Sequence, residues 1–243
     1  MLIVNADDLG RSKAETDAVI LCHAKGRITS TSAMVFMVDS ERASEAASDA
    51  GIDVGLHVNF SEEFSGGSVP TELRKAHDQI RRFITTNKYA LLIFNPLLMR
   101  QFEFVFAAQL AEFTRLYGRS PSHLDGHQHV HLATNMLVQR VLPTGVKVRR
   151  SFSFRRQEKS FVNRWYRSAV DRSLMHRHRV TDYFFSLSDH LALDKFERVI
   201  CLARQANVEL MVHPQRPAEH AFLMSDTYIE ALSRVRLAGY DAL

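Results

Sequence analysis

The sequence has little of what marks a disulfide-stapled, membrane-spanning or dinucleotide-binding chain. Only two cysteines occur in 243 residues, Cys22 and Cys201. That is too few for a disulfide framework, and neither has a Cys or His partner at zinc-finger spacing. Both sit in apolar, helix-like surroundings and read as buried free thiols, consistent with a reducing compartment. No apolar run reaches the roughly 18 residues that a membrane span requires. The longest candidate, residues 90–99, is interrupted by Asn95 and Pro96. No basic segment precedes an apolar core at the N-terminus, so no secretory signal peptide is expected. Internal repeats, low-complexity tracts and a glycine-rich dinucleotide fingerprint are also missing.

What is present is a rhythm of short apolar strands and amphipathic helices. The composition, 46% hydrophobic and 24% charged, is that of an ordinary globular chain, and the length suits one sizeable domain. Leu2-Ile3-Val4 reads as a first strand. Ser12 with Glu15 three residues on is a capping-box start for a helix that Gly26 ends. Ser32–Val38 and Ile52–Val58 read as strands, separated by a helix from Ser40 to Ala50 that Gly51 stops. A polar loop covers Ser61–Val69. Further on come a helix Glu103–Tyr117 ended by Gly118, a strand at Ser122–Leu124, a helix Asn135–Leu142 and a short strand Val146–Val148. The chain closes with a helix Asp194–Gln205, a strand Val208–Val212 and a helix Ser225–Ala238. Strands alternating with helices imply a parallel sheet. The expected fold is an α/β, distorted or incomplete (β/α) barrel of six or seven mainly parallel strands, one domain over residues 1–243, with a doubly wound open sheet as the alternative. Residues 150–190 fit the rhythm worst and read as an insertion or subdomain.

Charge is uneven. From Lys147 to Arg179 there are eleven basic residues (Lys147, Arg149, Arg150, Arg155, Arg156, Lys159, Arg164, Arg167, Arg172, Arg177 and Arg179), opposed only by Glu158 and Asp171. This is a solvated basic face, an anionic-membrane contact or a phosphate-binding surface.

Four polar clusters fall at the carboxyl ends of strands, where parallel α/β folds collect their active sites. Asn5, Asp7 and Asp8 follow the first strand. Adjacent carboxylates there repel one another, and a cation resolves the conflict. Gly55-Leu56-His57, followed by Asn59, closes the third strand. His123, Asp125, His127, His129 and His131 alternate along 123–131. If the run is extended, all five face one side; if it turns into a helix near Gly126, His127 and His131 share a face. Met211-Val212-His213-Pro214 ends a buried-looking strand on a histidine, which has the chemistry of a general acid near neutral pH.

Together, Leu2-Ile3-Val4-Asn5-Ala6-Asp7-Asp8-Leu9-Gly10, Ile28–Ser32, Gly55-Leu56-His57, the 123–131 run and Val212-His213-Pro214 resemble the YdjC-like carbohydrate deacetylase family, which includes chitooligosaccharide deacetylases and members tied to hopanoid biosynthesis. The resemblance covers nearly the whole chain, and its first and fourth motifs are long and specific. Leu9 stands where the family usually has an aromatic residue, and Gln215 where it often has glycine. Residues 61–100 and 150–190 match poorly. The resemblance implies a distorted (β/α) barrel in which Asp8, His57 and His127 hold one divalent metal, Asp7 is the general base and His213 the general acid. Asn5, Asp125, His129 and Arg149 are the residues expected around the substrate. Two imidazoles and a carboxylate suit zinc by ligand softness, whereas the family is often described with magnesium.

The expected function is therefore a metal-dependent hydrolase that removes an N-acetyl group from an amino sugar, such as an N-acetylglucosamine-containing oligosaccharide or glycolipid. A cation with three protein ligands leaves positions for water and for the acetyl oxygen. The alternatives are a protein that binds nucleic acid or an anionic surface through residues 147–179, and a metal hydrolase of another ester or amide. Expected partners are the sugar, with or without a lipid carrier, and a membrane surface; nucleic acid is not expected, and a homodimer is allowed for. The expected location is the cytoplasm, with peripheral attachment at the inner membrane face as an option.

Overall fold

A computed structural model describes residues 1–86, 89–154, 158 and 160–243. Arg155, Arg156 and Lys159 of the basic segment lie outside the described residues. The chain runs β1 (Leu2–Leu9), α1 (Lys13–Ala24), β2 (Ser30–Ala33), α2 (Ser40–Ala50), β3 (Asp53–Val58), α3 (Thr71–Thr85), α4 (Met99–Tyr117) and β4 (Leu124–Gly126). It continues through α5 (Thr134–Gln139), α6 (Phe161–Met175), β5 (Tyr183–Ser186), α7 (Leu193–Ala203), β6 (Val208–Val212), α8 (Pro217–Leu223) and α9 (Asp226–Leu232). No helix among the described residues is long and apolar enough to cross a membrane.

The six strands form one sheet in the order β4-β3-β2-β1-β6-β5, and every pairing is parallel. That order is the chain order closed cyclically. It never reverses as it would in a doubly wound sheet, so the sheet curls into an incomplete barrel. Residues 146–153 occupy the gap between its edges. On the β4 side the Leu124 amide donates to Lys147 O at 2.8 Å and the Arg149 amide to Leu124 O at 3.0 Å. On the β5 side Val148 donates to Arg179 O at 2.9 Å and Ser153 to Phe184 O at 2.9 Å. The short strand expected at Val146–Val148 is thus this bridging segment.

β1 and β6 are buried along their whole length, as strands of a parallel sheet covered on both faces are. Ser12 caps α1 as its spacing predicts: it accepts from the Ala14 amide at 3.2 Å and donates to Glu15. Gly51 ends α2 with φ +65°, a left-handed turn that a side chain disfavours. Four elements were not anticipated: α3, α6, β5 and α8. In α3 the buried Leu73, His77, Ile80 and Ile84 keep helical spacing within an otherwise polar stretch. Cys22 is buried as expected, but Cys201 is exposed on α7; helical surroundings alone did not say which face it occupies.

Candidate metal centre and active site

The two aspartates owe their placement to a β-bulge. Successive residues of a strand point to opposite faces, so Asp7 and Asp8 could not share a site on a regular β1. The β1–β2 register pairs Ala6 with Thr31 and then Leu9 with Ala33, leaving Asp7 and Asp8 opposite Ser32 alone. Asp8 takes φ +70°, the left-handed conformation that Asp tolerates better than most residues. Both carboxylates then turn toward His57 of β3: Asp8 Oδ1 lies 3.3 Å and Asp7 Oδ2 4.0 Å from His57 Nε2.

His127 completes the group. The chain leaves β4 at Gly126 and passes through two further left-handed residues, Gln128 (φ 52°) and His129 (φ 59°). This is neither the extended run nor the regular helix that the alternation suggested, and it scatters the five polar side chains. His123 lies flat on Tyr240, with ring centroids 3.7 Å apart. Asp125 points under His57. His127 reaches Asp8 Oδ1 with Nδ1 at 2.9 Å. His129 packs edge-on against Phe152, and His131 Nε2 contacts the Arg149 carbonyl at 3.0 Å. Asp8, His57 and His127 offer one ligand atom each, all within 4.8 Å of one another.

The electrostatics match a cation site. Burial opposes ionisation of Asp8, yet hydrogen bonds from His127 and His57 hold its carboxyl well below the usual carboxylate range. Burial also opposes a charged His57, but the Asp125 and Asp7 carboxylates push it up to about 10. His127 is raised against its own burial by Asp8 and Glu62. The surrounding carboxylates thus favour the charged form of both imidazoles. His57 Nδ1 is occupied by Asp125 at 2.8 Å and Ser32 Oγ at 3.1 Å, which leaves Nε2 for the site. Such outer carboxylates are what orient metal-ligating histidines. A second acidic group, Asp7, His57 and Asp125, has similar spacing. Arg149 already occupies it, with Nη2 2.8 Å from Asp125 Oδ2 and Nη1 2.7 Å from Asp7 Oδ2, so a cation there would meet a guanidinium.

The sequence profile described as YdjC-like protein matches residues 1–243. The chain belongs to the YdjC-like family. Among its relatives, a carbohydrate deacetylase of Mus musculus is 28% identical over 251 residues, covering 89% of this chain and 78% of that protein. A chitooligosaccharide deacetylase of Serratia marcescens is 32% identical over 132 residues, 54% of this chain and 51% of that one. The match to such chitooligosaccharide deacetylases therefore spans about half of their length. Among solved structures, a protein of Enterococcus faecalis V583 provisionally named for cellobiose-phosphate cleavage superposes with TM-score 0.70 at 20% identity, covering 99% of this chain and 97% of that one. It shares the fold.

Within this YdjC-like site, Asn5, Asp125 and Arg149, expected around the substrate, lie beneath Asp7 and His57 and bond to them or to each other. All three are fully buried. Arg149 is the hub beneath the site: Nη1 and Nη2 grip the two oxygens of Asp7 at 2.7 Å each, and Nε donates to Glu209 at 2.6 Å. Asn5 Nδ2 donates to Asp7 Oδ1 at 3.0 Å. His129 does border open space, a cleft of about 230 Å³ with Leu91, Leu92, Leu132, Phe152, Tyr166 and Val170 in its walls. His213 leaves β6 beside β1, where Val212 pairs with Ala6. Its backbone amide donates to Glu219 Oε2 at 2.7 Å, and its Nδ1 lies 3.6 Å from Glu219 Oε1. Burial works against a charged Glu219, but hydrogen bonds from His213 and Ser188 keep its carboxyl below the usual range.

Sequence reasoning missed Ser32, Glu62, Glu209 and Glu219. Glu62 had a signal, lying three residues past Asn59 at the end of β3. Glu209 had one as well, an acid inside the apolar strand Val208–Val212.

Proposed function

We propose that this chain is a divalent-metal-dependent hydrolase that removes the N-acetyl group of an amino sugar. The observation that carries the reading is the convergence of Asp8, His57 and His127 at the C-terminal mouth of the barrel, with Asp7 alongside. The YdjC-like membership and relatives named carbohydrate deacetylase supply the reaction class. The donor set of two imidazoles and one carboxylate favours zinc or another first-row metal over magnesium.

A cation on these three residues supplies Lewis-acid polarisation of the acetyl carbonyl and of the attacking water. Asp7 is the base. Its Oδ1 is filled by Arg149 and Asn5, whereas among the described residues Oδ2 has only Arg149 as hydrogen-bond partner and turns toward His57. Oδ2 therefore keeps the lone pair that accepts the water proton. Arg149 makes that carboxylate immobile, which removes the entropic cost of aiming it. His213 gives a proton to the leaving sugar amine, without which the tetrahedral species reverts. Glu219 Oε1 stands on its Nδ1 side, 3.6 Å away.

An apolar carrier on the sugar fits the cleft beside His129. Its Leu92 rim is 49% exposed and continues to Ile93 and Leu97, while nearby Phe161, Val162 and Trp165 of α6 are 65–73% exposed. Apolar side chains of this density beside Arg164, Arg167 and Arg172 support peripheral attachment at an anionic bilayer. Arg149 and Arg150 do not add to that surface. Arg149 is buried, and Arg150 is committed to Asp171 at 2.6 Å and to backbone carbonyls. Acetate release across N-acetylglucosamine compounds with and without an apolar aglycone tests the reading. Equal rates on both, with a metal-dependent reaction, would remove the carrier and keep the deacetylase.

A further inference from the structure

Both histidines of the candidate metal group have a carboxylate on the nitrogen that faces away from it. For His57 this is Asp125, buried under the sheet, on Nδ1 at 2.8 Å. For His127 the far nitrogen is Nε2, and Glu62 Oε2 stands 3.2 Å from it. Nothing in the strand pattern requires Glu62 to be there. It is delivered by the loop after β3, which is built to be stiff. Asn59 Oδ1 accepts from the Ser61 and Glu62 amides at 3.1 and 2.8 Å, and its Nδ2 donates to Glu62 O at 2.7 Å. Gln109 of α4 clamps the Asn59 backbone on both sides, accepting from its amide at 2.8 Å and donating to its carbonyl at 2.9 Å. Asn59 and Gln109 are both fully buried. Arg11, two residues past the end of β1, donates to Glu62 Oε1 at 2.9 Å and so turns Oε2 to His127.

Resting on the metal reading above, we infer that Glu62 is a positioning residue for the metal ligand His127. Its carboxylate accepts the Nε2 proton. That selects one tautomer and leaves the Nδ1 lone pair aimed at the point where Asp8 and His57 converge. Asp125 does the same for His57 with the two nitrogens exchanged, so one imidazole ligates through Nε2 and the other through Nδ1. Asp125 is locked in the barrel interior, whereas Glu62 is at the rim with 29% of its side chain exposed. It is the outer carboxylate that can be removed without leaving a charge buried in the core.

Calorimetric titration of the metal-free full chain with zinc, beside thermal melting of the same samples, is the test. Glu62→Ala is expected to weaken zinc binding about 10–100-fold, the usual effect of losing an outer carboxylate, with the melting temperature of the metal-free chain nearly unchanged. Glu62→Gln is expected to lose less, because its amide oxygen still accepts from Nε2. Glu63→Gln, which removes the same charge from the exposed neighbouring residue, controls for bulk electrostatics and should stay within about twofold. Wild-type affinity in Glu62→Ala, or an equal loss in Glu63→Gln, would overturn the assignment while leaving the metal site intact. A wild-type chain that binds no zinc would overturn both.

Discussion

Arg149 holds Asp7 by two parallel hydrogen bonds, Nη1 to Oδ2 and Nη2 to Oδ1, each 2.7 Å long. The same guanidinium reaches Asp125, which in turn holds His57. One buried cation thus orients both Asp7 and, through Asp125, His57. Removing it would leave Asp7, Asp125 and Glu209 facing one another in the barrel interior. Arg149→Met should therefore cost about 3–5 kcal/mol of stability, the range for breaking a buried ion pair on one side. Arg149→Lys should not rescue it, because one ammonium cannot match a fork spread over three carboxylates. Chemical denaturation of the three proteins checks this; a Met variant within about 1 kcal/mol of wild type would show that the acids find other partners.

Mutation separates the roles proposed for the two aspartates of the bulge. Asp7→Asn should keep the metal and lower kcat by about 10²–10⁴-fold, the range for a general base. Asp8→Asn tolerates the same left-handed backbone but should lose metal affinity. Metal content measured alongside kcat distinguishes them, and equal metal loss in both variants would mean that Asp7 is a ligand too.

Cation binding should expel protons. His57 is held up to about 10 by Asp125 and Asp7 against its burial, and His127 is raised as well. For a histidine raised in the folded chain, the added stability is fully present below the unfolded value of about 6.5 and is lost as pH rises through the folded value. The metal-free chain should therefore soften as pH climbs toward about 10, where His57 loses its proton. Only neutral imidazoles ligate, so zinc affinity should rise over the same interval. Calorimetry near neutral pH in two buffers of different ionisation enthalpy should report about one to two protons released per ion. No release would mean that the histidines are already neutral.

Trp165 is the only tryptophan in the chain and is 65% exposed on α6. If the apolar rim meets a bilayer, its emission should shift to the blue with anionic vesicles at low salt, and the shift should shrink at high salt. An unchanged spectrum with anionic and neutral vesicles alike would leave α6 a solvated face.

Much of the fold could be read in the sequence because its signals are local. The bounds of α2 and β6 match the expectation, set by Gly51 and by the apolar run ending at His213. The candidate residues Asp7, Asp8, His57 and His127 stand out in the sequence as strand-end polar groups. Their arrangement does not, because it depends on backbone exceptions: the bulge at Asp7-Asp8 and the left-handed Gln128 and His129. The Arg149 network was hidden for another reason. Its partners Asp7 and Glu209 lie 142 and 60 residues away, so an arginine expected near the substrate gave no sign of the acids it holds. Helix α6 was obscured by Phe161, Val162 and Trp165, apolar residues that it exposes rather than buries.

The most direct measurement is acetate release from an N-acetylglucosamine oligomer or glycolipid by the purified full chain, before chelation, after chelation and after zinc is restored. The expected result is release that falls to background with chelator, returns with the metal and is absent in His127→Ala. Release that persists at full rate in the chelated chain or in His127→Ala would contradict a metal-dependent deacetylase built on Asp8, His57 and His127.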